Sequence, residues 1–224
     1  IIMSEIRLGI IGAGNITREH LKVIQAMDQV HISGITSRTL SKAQELSEAF
    51  SIGQVFDTST KLINRRSVDG LLVLVSADQI FTVVQQLLPA QLPLFIEKPP
   101  GLTPEQTKTL TELADKHATP TMVGYNRRFY SVFQKGLDLI HQYGSLRGVS
   151  VEGHERFWKI TNRPLSHEIR ENWIYANSTH TIDLLRLFGG EVVSVHSVHK
   201  NVQEKKGDQF IASMEFDSGV LGSY

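Results

Sequence analysis

Ile6-Arg7-Leu8-Gly9-Ile10-Ile11-Gly12-Ala13-Gly14-Asn15-Ile16-Thr17 is the stretch whose reading decides the fold. Ile6 to Ile11 is apolar apart from Arg7 and Gly9. Beyond the glycines, apolar residues recur at helical spacing, with Ile16, His20, Val23, Ile24 and Met27 along one side. The expectation is strand, tight turn, helix. Gly12 allows a sharp turn with positive φ, and Gly14 keeps a side chain out of the way of an approaching pyrophosphate. The first N–H groups of the helix, Asn15 and Ile16 among them, then face that charge with the helix dipole behind them. A Gly-x-Gly turn alone also serves as an unliganded βα corner, and Thr17 stands where a third Gly or Ala is usual.

The chain behind this turn repeats the same unit. Val30 to Thr36 is a second strand, ending in Ser37-Arg38-Thr39 at the distance where an acid usually binds the ribose. No acid is there. Arg38 suits a 2′-phosphate or an adenine face, so NADP is as plausible as NAD, with a solvated loop cation as the plain alternative. Ser41 is expected to cap a helix running to Phe50, with Ala43, Leu46 and Ala49 facing inward. Gly70-Leu71-Leu72-Val73-Leu74-Val75 has no polar side chain on either face, as a central parallel strand requires. Leu92 to Ile96 forms a further strand leading into Glu97-Lys98-Pro99, and Pro104 behind Thr103 marks the start of another helix. With Thr121 to Val123 as a sixth strand, residues 6–124 read as an α/β, doubly wound parallel sheet of Rossmann type.

Past Gly124 the rhythm changes. Asn126 opens a helix to about Gln142, Leu146 to Glu155 alternates like a half-exposed strand, and Phe157 to Tyr175 is irregular. A helix from about Ser178 to Phe188 is followed by Glu191–His199, Gln209–Phe216 and Val220–Tyr224 as strands of an open mixed or antiparallel sheet. The expected division is a dinucleotide-binding domain over 1–123 and an α+β domain over 124–224 for substrate binding and oligomer contacts. Trp158, Arg163, Arg170 and Trp173 in the irregular stretch receive no role.

The totals narrow the partners. Lys plus Arg equals Asp plus Glu at 23 each, with no basic block, so nothing favours nucleic acid or an anionic membrane. The absence of cysteine among 224 residues removes disulfides, thiolate metal sites and a Cys nucleophile. No apolar run approaches the roughly 18 residues of a membrane span, and the start of the chain does not read as a secretory signal. A cytoplasmic protein acting on a small molecule is the expectation. No His pair at ligand spacing is joined to a carboxylate, so no metal site is assigned.

Lys98 at the carboxyl end of a parallel strand is placed where ligands bind in open α/β sheets, and partial burial suits it to proton transfer. An ion pair of Lys98 with Glu97 is the bland alternative. Four motifs then occur in order: Gly9 to Ile16 with His20, Glu97-Lys98-Pro99, Gly124-Tyr125-Asn126-Arg127-Arg128-Phe129, and His180-Thr181-Ile182-Asp183-Leu184-Leu185. Together they resemble the Gfo/Idh/MocA oxidoreductases, the glucose–fructose oxidoreductase and inositol dehydrogenase group. The resemblance implies NAD or NADP, hydride transfer at a carbinol carbon of a sugar, cyclitol or polyol, and a homo-oligomer formed through the C-terminal sheet. Lys98 matches the family lysine near the nicotinamide and the reacting hydroxyl, and Glu97 and Pro99 match the residues that place it, often across a cis Lys-Pro bond. His180 matches the family histidine that accepts the hydroxyl proton. Cofactor contacts are implied for Gly12, Gly14, Asn15, Ile16, Ser37, Arg38, Ser76, Glu97, Lys98 and Arg128.

Three departures stand out. Ala176 occupies the place of an Asp four residues before the histidine, so Asp183 or a residue of 157–175 would have to supply that carboxylate. Ala77 and Phe81 replace a Pro and a His after the central strand. Relatives also continue well beyond Tyr224. These departures motivate a second reading, a nucleotide-binding family member without turnover.

Overall fold

A computed structural model describes residues 5–63, 67–155, 164–200 and 209–224. The chain divides into two compact units, Ile1–Gly124 and Tyr125–Tyr224. In the first, β1 (Ile6–Ile11), α1 (Asn15–Ile24), β2 (Val30–Thr36), α2 (Leu40–Phe50), β3 (Val55–Phe56) and α3 (Ser59–Leu62) come in order. They are followed by β4 (Gly70–Val73), α4 (Ala77–Leu87), β5 (Leu94–Ile96), α5 (Pro104–His117) and β6 (Thr121–Val123). The six strands form one sheet in the order β3-β2-β1-β4-β5-β6, every pairing parallel.

Alternation along β4 distributes the core to both faces. Leu71 and Val73 pack with Ile80 and Val84 of α4 and Leu110 of α5. Leu72 and Leu74 point the other way, into a cluster with Leu21 and Ile24 of α1 and Ala43 and Leu46 of α2. All four residues of β4 are buried, as its unbroken apolar run requires. The chain leaves β1 toward one face and β4 toward the other, so the sheet has its switch point between those strands.

Several local expectations change in detail. The inward stripe of α1 is Thr17, Leu21 and Ile24, whereas Ile16, Val23 and Met27 are exposed. The helix is rotated from the simple apolar reading because a polar residue, Thr17, takes a fully buried place. Thr39, not Ser41, occupies the N-cap of α2, and Ala49 is exposed. At α5, Thr103 accepts from the Gln106 amide and Pro104 follows as the first helical residue.

In the second unit a 3₁₀ turn (Asn126–Phe129) precedes α6 (Ser131–Tyr143) and β7 (Gly148–Ser150), with Tyr130 extended between turn and helix in place of one continuous helix. The stretch read as irregular contains α7 (His167–Glu171) and a π turn (Ile174–Ser178) that runs into α8 (Thr179–Gly189). Trp158 and Arg163 lie outside the described residues. The strands β8 (Val192–Lys200), β9 (Gln209–Phe216) and β10 (Leu221–Ser223) join β7 in the order β7-β10-β9-β8. The β8–β9 and β9–β10 pairs are antiparallel and the β10–β7 pair is parallel, which makes the sheet mixed. Leu185 of α8 packs with Phe216 and Val220 against one face.

Candidate functional site

The glycine corner is held by contacts that the sequence motif alone does not specify. Gly12 has φ +115°, and a Cβ built there would run into the Leu74 carbonyl, so no other residue fits. Its N–H donates to the Thr36 carbonyl at 2.8 Å, while Leu74 N–H donates to the Ile11 carbonyl at 2.8 Å. Thr17, the departure from the glycine pattern, closes the turn from within. Its hydroxyl donates to the Gly12 carbonyl and accepts from Gly14 N–H, each at 3.2 Å. Above Gly14 nothing lies within 4 Å of the position a Cβ would take, and Gly14, Asn15 and Ile16 are all exposed. Helix geometry leaves the first N–H groups of α1 without intrahelical acceptors, so the corner presents donors and a positive dipole end to open space. A pyrophosphate fits that donor set.

The other implied positions of this unit line the same carboxyl edge of the sheet. Ser37 and Arg38 follow β2, with Arg38 exposed and the Ser37 hydroxyl accepting from Thr39 N–H at 3.3 Å. Ser76 follows β4 at the N-cap of α4, where its hydroxyl donates to Asp78 at 2.6 Å and Ala77 begins the helix. After β5 come Glu97 and Lys98, both half-buried, and the Lys98–Pro99 peptide is cis. Glu97 N–H donates to the Val73 carbonyl at 3.0 Å, so the ladder between β4 and β5 extends to the residue before the lysine. The Glu97 carboxylate accepts from Lys98 N–H at 3.0 Å through Oε2 and from His20 Nε2 at 2.9 Å through Oε1. No local signal links His20 to Glu97 across 77 positions. The sequence holds a hint only in the place of His20 within the first of the four motifs, one turn into α1.

In the second unit His180 lies in the first turn of α8, half-buried, with Tyr125 edge-on to its ring at 6.2 Å. One turn on, the Asp183 carboxylate takes Nε and Nη2 of Arg128, both at 2.6 Å, in a two-pronged pair. This pair uses two of the five guanidinium N–H groups of the residue expected at the cofactor. Asp183 raises the Arg128 pKa further above its ordinary value. Burial lifts the Tyr125 phenol above its usual 10, and the nearby Asp183 charge adds to the rise, so the phenol stays protonated and able to donate. With both Asp183 oxygens on Arg128, another carboxylate is aimed at the turn before His180. Glu155 accepts from Asn177 at 2.7 Å and from the Ser178 hydroxyl at 3.2 Å, beside the buried Ala176.

Residues 6–125 match the family model described as an oxidoreductase family with an NAD-binding Rossmann fold, Gfo/Idh/MocA, which is more than half of the chain. The chain belongs to this family. Within it, the chain is 25% identical over 229 aligned positions to the myo-inositol 2-dehydrogenase of Thermotoga maritima, covering 96% of this chain and 66% of that protein. It is 27% identical over 127 positions to the rhizopine catabolism protein MocA of Rhizobium meliloti, covering 57% and 39%. The crystal structure of a dehydrogenase from Chromobacterium violaceum shares the fold with a TM-score of 0.79 at 24% identity, over 99% of this chain and 65% of that one. The matches therefore span about two thirds of the myo-inositol 2-dehydrogenase and about two fifths of MocA.

Proposed function

We propose that this protein is an NAD(P)-dependent dehydrogenase or reductase acting at a carbinol carbon of a sugar, cyclitol or related polyol. The observation that carries the reading is the open Gly12–Gly14 corner at the switch point, with Glu97-Lys98-Pro99 on the same carboxyl edge. The family to which the chain belongs supports the cofactor, and the match to a myo-inositol 2-dehydrogenase supports the substrate class.

Asn15 and Ile16 N–H groups and the α1 dipole bind the pyrophosphate, and Gly14 lets it approach. Ser37 and Arg38 receive the adenosine ribose, where a guanidinium in place of a carboxylate suits a 2′-phosphate as well as a hydroxyl. Bound NAD(P) supplies the acceptor or donor of hydride. When an alcohol is oxidised, the carbon loses hydride and the oxygen loses a proton. Lys98 holds that oxygen by donating a hydrogen bond, and His180 accepts its proton. In the reducing direction the same imidazole returns it.

Among the described residues no helix is long and apolar enough to cross a membrane. A cytoplasmic location and a homo-oligomer joined through the second sheet complete the reading.

Titration with NADH and NADPH, followed by nicotinamide fluorescence, tests it first. A saturable change with at least one is expected, and its absence with both would sink the proposal. Cyclitols, sugars and nucleotide sugars, offered with the oxidised cofactor, should then yield reduced nicotinamide absorbance. Binding without turnover on the whole panel would favour the non-catalytic alternative.

A further inference from the structure

We propose that His20 is a positioning residue for Lys98. The imidazole on α1 holds the Glu97 carboxylate, and that carboxylate holds the backbone amide of Lys98. The inference rests on the reading of Lys98 given above and adds a residue to it.

Three contacts make the link. His20 Nε2 meets Glu97 Oε1 at 2.9 Å, Lys98 N–H donates to Glu97 Oε2 at 3.0 Å, and Glu97 N–H is fixed to the Val73 carbonyl at 3.0 Å. An ionised carboxylate has only acceptors, so His20 carries a proton on Nε2 and both partners donate. Each carboxylate oxygen thus answers to a different element, one on α1 and one at the end of β5. The ring is also oriented by packing, because its edge meets Phe95 at 5.5 Å and 71°. Side-chain exposures of 27% for His20 and 13% for Glu97 set this pair apart from the open ion pairs elsewhere on the surface.

The chemistry explains why such a link is needed. A lysine reaches its target through four flexible carbons, so the rest of the structure can direct it only by fixing the peptide from which it springs. Displacements near 1 Å at a reacting group cost about a hundredfold in rate. The same helix that carries His20 opens at the glycine corner, so one hydrogen-bonded chain sets the phosphate seat and the lysine at a fixed spacing.

Two readouts test this. In protein without cofactor, amide hydrogen exchange at Lys98 is followed by NMR in wild type, His20→Ala, His20→Gln and Glu97→Gln. Exchange at Lys98 should quicken about tenfold in His20→Ala, while Val73, Leu72 and the α1 amides keep their protection. His20→Gln, which retains a donor on a side chain of similar reach, should restore most of it. Glu97→Gln keeps the shape but turns one acceptor into a donor, so it must give up one contact and should quicken exchange as well. In turnover assays, kcat should fall about tenfold in His20→Ala with NADH affinity within about twofold of wild type.

Unchanged exchange at Lys98 in His20→Ala and Glu97→Gln would overturn the link. So would a general loosening of α1 and the core amides together with Lys98, which marks ordinary packing. A wild type that binds no cofactor would remove the proposed function on its own, and the exchange at Lys98 would still decide whether His20 positions it.

Discussion

Leu71 and Ile211 sit within strands of the two sheets of this chain, yet Leu71 is 1% exposed and Ile211 74%. Leu71 belongs to a parallel strand whose crossovers place helices on both faces, so every side chain of β4 enters a core. Ile211 belongs to β9 of the mixed sheet, a strand paired antiparallel to β8 and β10. The sheet's inner row includes the buried Ala212 together with Met214 and Phe216, which pack with Leu185 of α8, whereas Ile211, Val198 and Leu221 lie in the outer row without cover from the described residues. The contrast teaches that connection type decides whether an apolar strand position is a core position. It also separates two kinds of site building. In the first unit, loops at one edge of a rigid sheet supply the candidate cofactor seat and Lys98. In the second, one helix supplies His180 and Asp183.

The largest expected effect probes the rigid edge. Lys98→Met should lower kcat by about 10²–10⁴-fold in a coupled nicotinamide assay while leaving NADH binding and thermal stability near wild type. Wild-type turnover would remove Lys98 from the chemistry, and lost cofactor binding would assign it to the seat instead. Next comes the contrast between the sheets. Leu71→Ala should cost about 2–5 kcal/mol in urea unfolding through cavity formation. The same truncation at Ile211 should stay within about 0.5 kcal/mol. A comparable loss at Ile211, dependent on protein concentration, would show that its face is covered in an assembly.

Asp183→Ala comes between these extremes. It strands Arg128, whose side chain is 35% exposed against 8% for Asp183, and about 2–3 kcal/mol is expected once solvent screening of the guanidinium is allowed for. The smallest effect concerns the exposed pair at the start of the parallel sheet. Arg7 donates to Asp69 through Nη2 at 2.8 Å and also through its backbone N–H at 2.8 Å, holding the Asp69 carboxyl at about 2 instead of its ordinary 3.8. A depressed carboxyl adds stability only where it is ionised. The melting temperature gap between wild type and Asp69→Asn should therefore be constant above about pH 5, shrink between pH 4 and 2, and vanish below. Added salt should narrow it at neutral pH.

Much of the first unit was legible because its signals are local. The apolar run of β4, the Gly12 turn and the Thr103–Pro104 start of α5 each depend on neighbours a few residues away. Less was legible in the second unit. The stretch before His180 lacks a clear period, and the π turn at Ile174–Ser178 departs from the 3.6-residue repeat by which helices are read. The rotation of α1 was also hidden, because Thr17 earns its buried place through hydrogen bonds to Gly12 and Gly14, not through apolar character.

By itself, then, the amino-acid order determined the alternation of strands and helices, the position of the glycine corner and the placement of Lys98 at a strand end, since each follows from spacing and turn chemistry. Tertiary structure alone decided that His20 meets Glu97 across 77 positions and that Arg128 meets Asp183 across 55. Which polar side chains become neighbours depends on how far each helix is turned about its axis and how the strands are ordered. Both are set by the packing of the whole core, and no short segment carries that information.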